Sequence, residues 1–191
     1  MSDTLPRPKD RNLYLSQQVT QESINKITSA IIEIAEDDRY LKKIYEIDGI
    51  DYLPKPINLY IDSYGGYVYQ CMGLLGIMKS SSTPVNTIVT GCAMSCGFLI
   101  SICGNKRSGY KNSTYLYHQI SSGAFGKAKD IEEEWFEVKR LQKMIEKITL
   151  ENTSVSKEKL REVYNAKFDW FISSKEALEL GIIDEIIEPL R

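Results

Sequence analysis

"IVTGCAMSCGFLI" occupies residues 88–100. With the preceding "PVNT" its first half is β-branched and apolar and reads as a buried strand over 84–91. Small residues follow, then Ser95, Cys96 and Gly97, and then an apolar run suited to a helix near Ser95. The same order occurs earlier: "INLYID" (57–62) reads as a short buried strand, "SYGG" as a turn and "YVYQCMGLLGIMK" as a helix. Taken as neighbouring strands, these two segments bring Gly65-Gly66 and Ser95 to one end of a sheet. Strands alternating with helices define an α/β domain.

Outward from this pair the pattern continues. "NLYLSQQV" (12–19) reads as a strand, and Ile24, Ile27, Ile31 and Ile34 recur at helical spacing. Residues 36–56 are charged and aromatic and end on two prolines, which predicts an irregular excursion. "STYLYH" is a third strand ending on His118, and "SSGAFGKAKD" a loop. The longest helix is predicted over about 130–152, with Asp130 as N-cap and Glu132, Glu133 and Glu134 in its first turn. Its apolar stripe is Ile131, Trp135, Val138, Leu141, Ile145 and Ile148. "SKEKLREVYN" makes a short helix and "FDWFIS" an extended piece. Ser173 and Glu176 form a capping box opening "KEALEL", which Gly181 stops before "IIDEII".

Composition narrows the function classes. A chain of 191 residues fits one domain with a sizeable core. The 24 Lys and Arg are interleaved with 26 Asp and Glu, for a net charge of −2, so there is no basic stripe to hold nucleic acid. No apolar stretch approaches a membrane span, and the polar segment 1–11 lacks the apolar core of a signal peptide, so a cytoplasmic protein is expected, with its domain over 12–191. Cys71, Cys92, Cys96 and Cys103 form no CxxC pair, and with a single histidine in the chain they are expected to be buried free thiols rather than metal ligands. No cofactor motif is present: there is neither GxxxxGK[ST] nor GxGxxG.

The chemistry centres on Ser95. A serine on a sharp strand-to-helix turn has the placement of a nucleophile, with backbone N–H groups near a developing oxyanion. Close packing of a helix explains a lone small residue equally well. Gly66 supplies a second N–H donor, or only a tight turn. His118 is the only histidine, so a Ser-His mechanism depends on it. Asp169 lies between Phe168 and Trp170, where an acid needs a partner unless it faces solvent on an edge strand.

In order, "LYIDSYGG", "GCAMSCG", "YHQ" leading into a Gly-containing loop, and "FDWFISSKEALELGIIDEI" resemble the proteolytic subunits of Clp proteases, from about Leu13 to Ile187. The resemblance implies an α/β, ClpP/crotonase-like fold with repeated β/α units and a protruding handle helix. It further implies a serine endopeptidase with Ser95 as nucleophile, His118 as base, Asp169 orienting the imidazole, and the N–H groups of Gly66 and Cys96 as the oxyanion hole. No cofactor is implied. The expected partners are further copies of the chain, in heptameric rings stacked as a tetradecamer, an AAA+ unfoldase, and polypeptide substrates. Departures from the family pattern are Tyr64 for a usual proline, Cys96 for a usual methionine, Ile120 for a usual proline, Asn58 for a common aromatic, and a longer 36–56 segment. Two other classes remain open: a noncatalytic subunit of a mixed ring, against which the intact Ser95, His118 and Asp169 stand, and a crotonase-like acyl-CoA enzyme, which needs no Ser-His pair.

Overall fold

The computed structural model describes residues 10–188. Of the polar segment 1–11, only Asp10 and Arg11 fall within the described residues. Four parallel pairings build the main sheet, in the order β1 (Asn12–Leu15), β2 (Ile57–Ser63), β3 (Val85–Met94), β4 (Arg107–Tyr110) and β7 (Glu185–Ile187). Parallel neighbours require crossovers, and α1 (Gln21–Ile47) and α2 (Val68–Ser80) supply the first two. The α/β class expected from the sequence is the one observed.

The hydrophobic pattern explains these elements. Along β2 the burial alternates, with Ile57, Leu59 and Ile61 fully buried. Ile24, Ile27, Ile31 and Ile34 form the buried face of α1, and Cys71, Leu74, Leu75 and Met78 that of α2. At the start of α1, Thr20 and Ser23 exchange hydrogen bonds, each accepting the other's backbone N–H (3.2 and 2.9 Å).

The bend in β3 positions the site. Its first part pairs with β4 through Thr87–Val89, and its last part, Cys92–Met94, pairs instead with β5 (Thr114–Tyr117). Between them the register against β2 slips, so that Ile61 faces Val89 but Ser63 faces Ala93. A bulge of this kind frees backbone groups that need partners. The Asp62 carboxylate accepts the Cys92 N–H at 2.9 Å, and Gly91 leaves it room, since a Cβ there would lie 2.5 Å from Asp62 Oδ1. The end of β3 thereby departs from the main sheet and carries Ser95 into α3 (Cys96–Ser101). On the far side of β5 runs β6 (Trp170–Ser173), antiparallel, with Tyr117 opposite Trp170.

Three expectations are corrected. Residues 36–56 are not irregular throughout: α1 continues to Ile47, and only the stretch after it is irregular. No proline or glycine interrupts residues 21–48, and the buried Asp38 anchors the extension, accepting from Arg11, Thr83 (2.6 Å) and Tyr52 (2.6 Å). The helix expected to be the longest, α4, is Ala128–Asn152, 25 residues against the 27 of α1, and its first two residues precede the predicted cap. Asp130 sits inside it and reaches back to accept the Lys127 N–H at 3.1 Å, so the three glutamates lie beyond the first turn. Finally, β4 has no counterpart in the sequence reading. It is four residues long, includes Gly109, and is held by Arg107, which donates to Asp184 and to the Gly181 carbonyl (2.8 Å).

The predicted short helix is α5 (Lys157–Ala166), capped by Ser156. The Ser173–Glu176 capping box opens α6 (Ser174–Glu179), and Gly181 follows it at φ +62°. All four cysteines are free thiols; Cys71, Cys92 and Cys96 are buried and Cys103 half-buried. Among the described residues no helix is long and apolar enough to cross a membrane.

Candidate active site

Ser95 sits at φ +54° and ψ −119°, outside the regions L residues ordinarily occupy. Such a conformation persists only where its surroundings over-determine it. Here the Ser95 N–H donates to the Leu116 carbonyl of β5 (3.0 Å), and its carbonyl accepts from Leu99 (3.2 Å) to start α3. Thr20, Ser156 and Ser173 each spend a hydroxyl on capping a helix, whereas the Ser95 hydroxyl makes no capping bond. Ser95 lines the cleft that opens in front of it, with the Cys96 thiol within hydrogen-bonding reach of its hydroxyl.

Gly65 and Gly66 close the opposite wall. Both have positive φ, +93° and +150°. A Cβ on Gly65 would lie 2.7 Å from that of Ser95, and one on Gly66 would lie 2.3 Å from the Val19 carbonyl oxygen. Only glycine fits either position. The turn is fixed by Val19, whose N–H donates to the Gly65 carbonyl (2.8 Å) and whose carbonyl accepts from Tyr67 (2.9 Å). Ser63 accepts the Gly65 N–H (3.2 Å) and donates to the Gln17 carbonyl (2.6 Å). The Gly66 N–H has no acceptor among the described residues, and the Cys96 N–H is the first of α3, without an intrahelical partner. Two free donors thus flank the serine. The Cys96 thiol lies under this wall, donating to the Gly66 carbonyl at 3.2 Å. Beneath it the buried Cys71 thiol is pushed well above its ordinary value by its hydrogen bond with Cys96 and then by burial, so it stays protonated.

His118 follows β5 directly and is half-buried. Ser95, His118, Gly66 and Cys96 line one cleft of about 290 Å³. Asp169 does not line it. Continuing the β5–β6 register one step beyond Tyr117–Trp170 sets Asp169 opposite His118. It is exposed there, and forms no hydrogen bond or ion pair among the described residues. Four of the five residues singled out in the sequence therefore meet in one cleft, and the fifth is adjacent in the ladder without touching it.

A family profile for Clp protease matches residues 7–189. The chain belongs to the Clp protease family. The ClpP/crotonase-like fold expected from the sequence is accordingly the fold observed, and the acyl-CoA alternative is not favoured. Family membership makes the chain a serine peptidase. It is similar to the ATP-dependent Clp protease proteolytic subunit of Deinococcus radiodurans, 29% identical over 185 residues, covering 96% of this chain and 83% of the relative. It is 32% identical over 160 residues to proteolytic subunit 2 of Treponema pallidum, covering 82% and 79% of the two chains. Subunit 1 of Prochlorococcus marinus is 30% identical over 180 residues, covering 93% and 84%.

Sequence reasoning missed Ser63, Val19 and Gln142. Val19 acts through its backbone N–H and carbonyl, which leave no signature in residue type, and Ser63 through a hydroxyl bonded to two backbone groups, which a serine in a turn does not announce. Gln142 is buried beside Leu141 on α4 and accepts the Ile120 N–H at 3.0 Å, two residues past His118. Its one visible signal is an amide at the edge of an apolar stripe.

Proposed function

We propose that the chain is an active serine endopeptidase in which Ser95 attacks the peptide carbonyl, His118 takes the hydroxyl proton and returns it to the leaving amine, and Asp169 orients the imidazole. The developing oxyanion is held by the N–H groups of Gly66 and Cys96. The observation that carries this reading is the convergence of Ser95, His118 and two unpaired backbone donors on one cleft. Preorganised donors of this kind supply a large part of acyl-transfer catalysis. Asp169 engages His118 when substrate or assembly closes the site, since catalytic hydrogen bonds are often loose before substrate binds.

Work on unfolded polypeptides and short peptides, inside heptameric rings stacked as a tetradecamer and fed by an AAA+ unfoldase in the cytoplasm, completes the proposal. The relatives, ATP-dependent Clp protease proteolytic subunits, support the unfoldase. The peptidase domain spans 12–191, after a polar N-terminal segment.

The test is turnover of a short fluorogenic peptide and of a folded protein by the wild type, Ser95→Ala and Asp169→Asn. The wild type is expected to cut the peptide unaided and the folded protein only with an AAA+ unfoldase and ATP. Ser95→Ala is expected to keep no more than the roughly 10³- to 10⁴-fold acceleration over water that an oxyanion hole and binding provide. Asp169→Asn is expected to keep the fold and lose most of kcat. Degradation of the folded protein without any ATPase would contradict the chamber, and full kcat in Asp169→Asn would leave that residue structural.

A further inference from the structure

The segment that leaves β5 carries His118 and then joins no ladder until α4 begins. Among the described residues, from His118 to Gly126 the Ile120 N–H is the one backbone group with a hydrogen-bond partner, and that partner is Gln142 Oε1 at 3.0 Å. Gln142 is only 6% exposed, on the face of α4 that buries Leu141, Ile145 and Thr149. Burying an amide is costly unless both its ends are paired. The other end is paired as well: Nε2 donates to Glu146 Oε1 at 3.0 Å, one helical turn on. On the near side of His118, Tyr117 is 3% exposed, and its hydroxyl is buried without a hydrogen-bond partner among the described residues, facing the same Gln142 and Glu146. One pair of α4 side chains therefore borders the chain immediately before and shortly after His118.

We propose that Gln142 is a positioning residue for His118: by accepting the Ile120 N–H it holds the segment after β5 against α4 and so fixes where the imidazole stands relative to Ser95. This rests on the reading of His118 as the general base. A neutral amide suits the task, because its acceptor does not change with pH and its geometry is locked by the bond to Glu146. Without it the Ile120 N–H loses its partner, and the exposed Ser122 hydroxyl, donating to Glu134 at 3.0 Å, is the remaining hydrogen bond between the segment and α4 among the described residues. A misplacement of about 1 Å at a catalytic group costs on the order of 10²-fold in rate.

The test compares wild type, Gln142→Leu, the double variant Gln142→Glu with Glu146→Gln, and His118→Ala in the full chain, by steady-state peptide hydrolysis and by hydrogen exchange of residues 118–126. Gln142→Leu is expected to lose about 10- to 100-fold in kcat with KM little changed, and its 118–126 amides are expected to exchange faster. The double variant Gln142→Glu with Glu146→Gln, which keeps an oxygen for the Ile120 N–H and reverses the bond between the two side chains, is expected to recover most of kcat. If Gln142→Leu does not fold, Gln142→Met, a good helix former without an amide oxygen, takes its place. Unchanged kcat in the apolar variant overturns the inference. So does an equal loss in the double variant, which would assign the effect to side-chain volume. His118→Ala separates the two readings: loss of turnover there beside a normal Gln142→Leu sinks the positioning role only, while full turnover in His118→Ala sinks the base itself.

Discussion

At the scale of single residues, the site depends on backbone that only particular side chains permit. Gly66 shows this most directly, since a Cβ there would stand 2.3 Å from the Val19 carbonyl oxygen at a φ of +150°. Gly66→Ala is expected to cost about 1–3 kcal/mol in denaturant unfolding and to lower kcat far more than it raises KM, because the displaced N–H acts on the transition state. A variant with normal kcat would remove Gly66 from the oxyanion hole. Ser95, Gly66 and His118 were legible in the sequence because each is an unusual residue for its place: a serine in an apolar run, a paired glycine after a strand, the sole histidine at a strand end. Cys96 came only with the family resemblance, since its part is a backbone N–H. Asp169 was legible only as an acid among aromatics, and the exposed position it takes here was the alternative that periodicity left open. Gln142 was not legible, since its role lies in a bond to a backbone group 22 positions away.

At the scale of elements, the departures from the sequence reading arise where local pattern and tertiary contact disagree. The end of α1 is charged and aromatic, so it presents no continuous stripe, yet it stays helical because Asp38 is buried within it and bonded to Arg11, Tyr52 and Thr83. Burial raises the Asp38 pKa, but the hydrogen bonds from Arg11, Thr83 and Tyr52 and the Arg11 charge outweigh it, and the carboxyl ends below its ordinary value. Because the folded value is depressed, the carboxylate's contribution is fully present above the unfolded value of about 3.9 and is lost as pH falls through the folded one. Removing one partner of a buried pair costs about 3–5 kcal/mol. Asp38→Ala is therefore expected to lower stability by about that much at pH 7 and by much less in acid below the folded value, with kcat per folded molecule unchanged. Urea titrations at both pH values check this, and an equal loss at the two would refute it. β4 stayed hidden for the opposite reason: four residues with a glycine carry no period, and its place is set by neighbours on both sides.

For the whole molecule, α4 divides into two parts. Leu141, Gln142, Ile145 and Thr149 are buried against the body, whereas Ile131, Trp135 and Phe136 are 43%, 50% and 59% exposed, with Phe125 of the preceding loop fully so. The stripe read from the sequence is continuous, but the fold covers only its C-terminal half. Exposed apolar clusters of this kind mark contact surfaces, which fits a handle that meets another copy. Leu141→Ala is expected to destabilise the protomer by about 2–5 kcal/mol, whereas Trp135→Ala is expected to leave protomer stability near normal and to shift sedimentation from the ring assembly to smaller species. Unchanged sedimentation in Trp135→Ala would remove this half of α4 from the assembly contact. The central claim is that Ser95, strained at the turn between β3 and α3, is the nucleophile. Labelling the wild-type protein with a fluorophosphonate and mapping the adduct by peptide mass spectrometry tests it most directly. The expected result is one adduct, on Ser95, formed much more slowly in His118→Ala; an adduct on any other residue, or none on an enzyme that still cuts peptides, would contradict it.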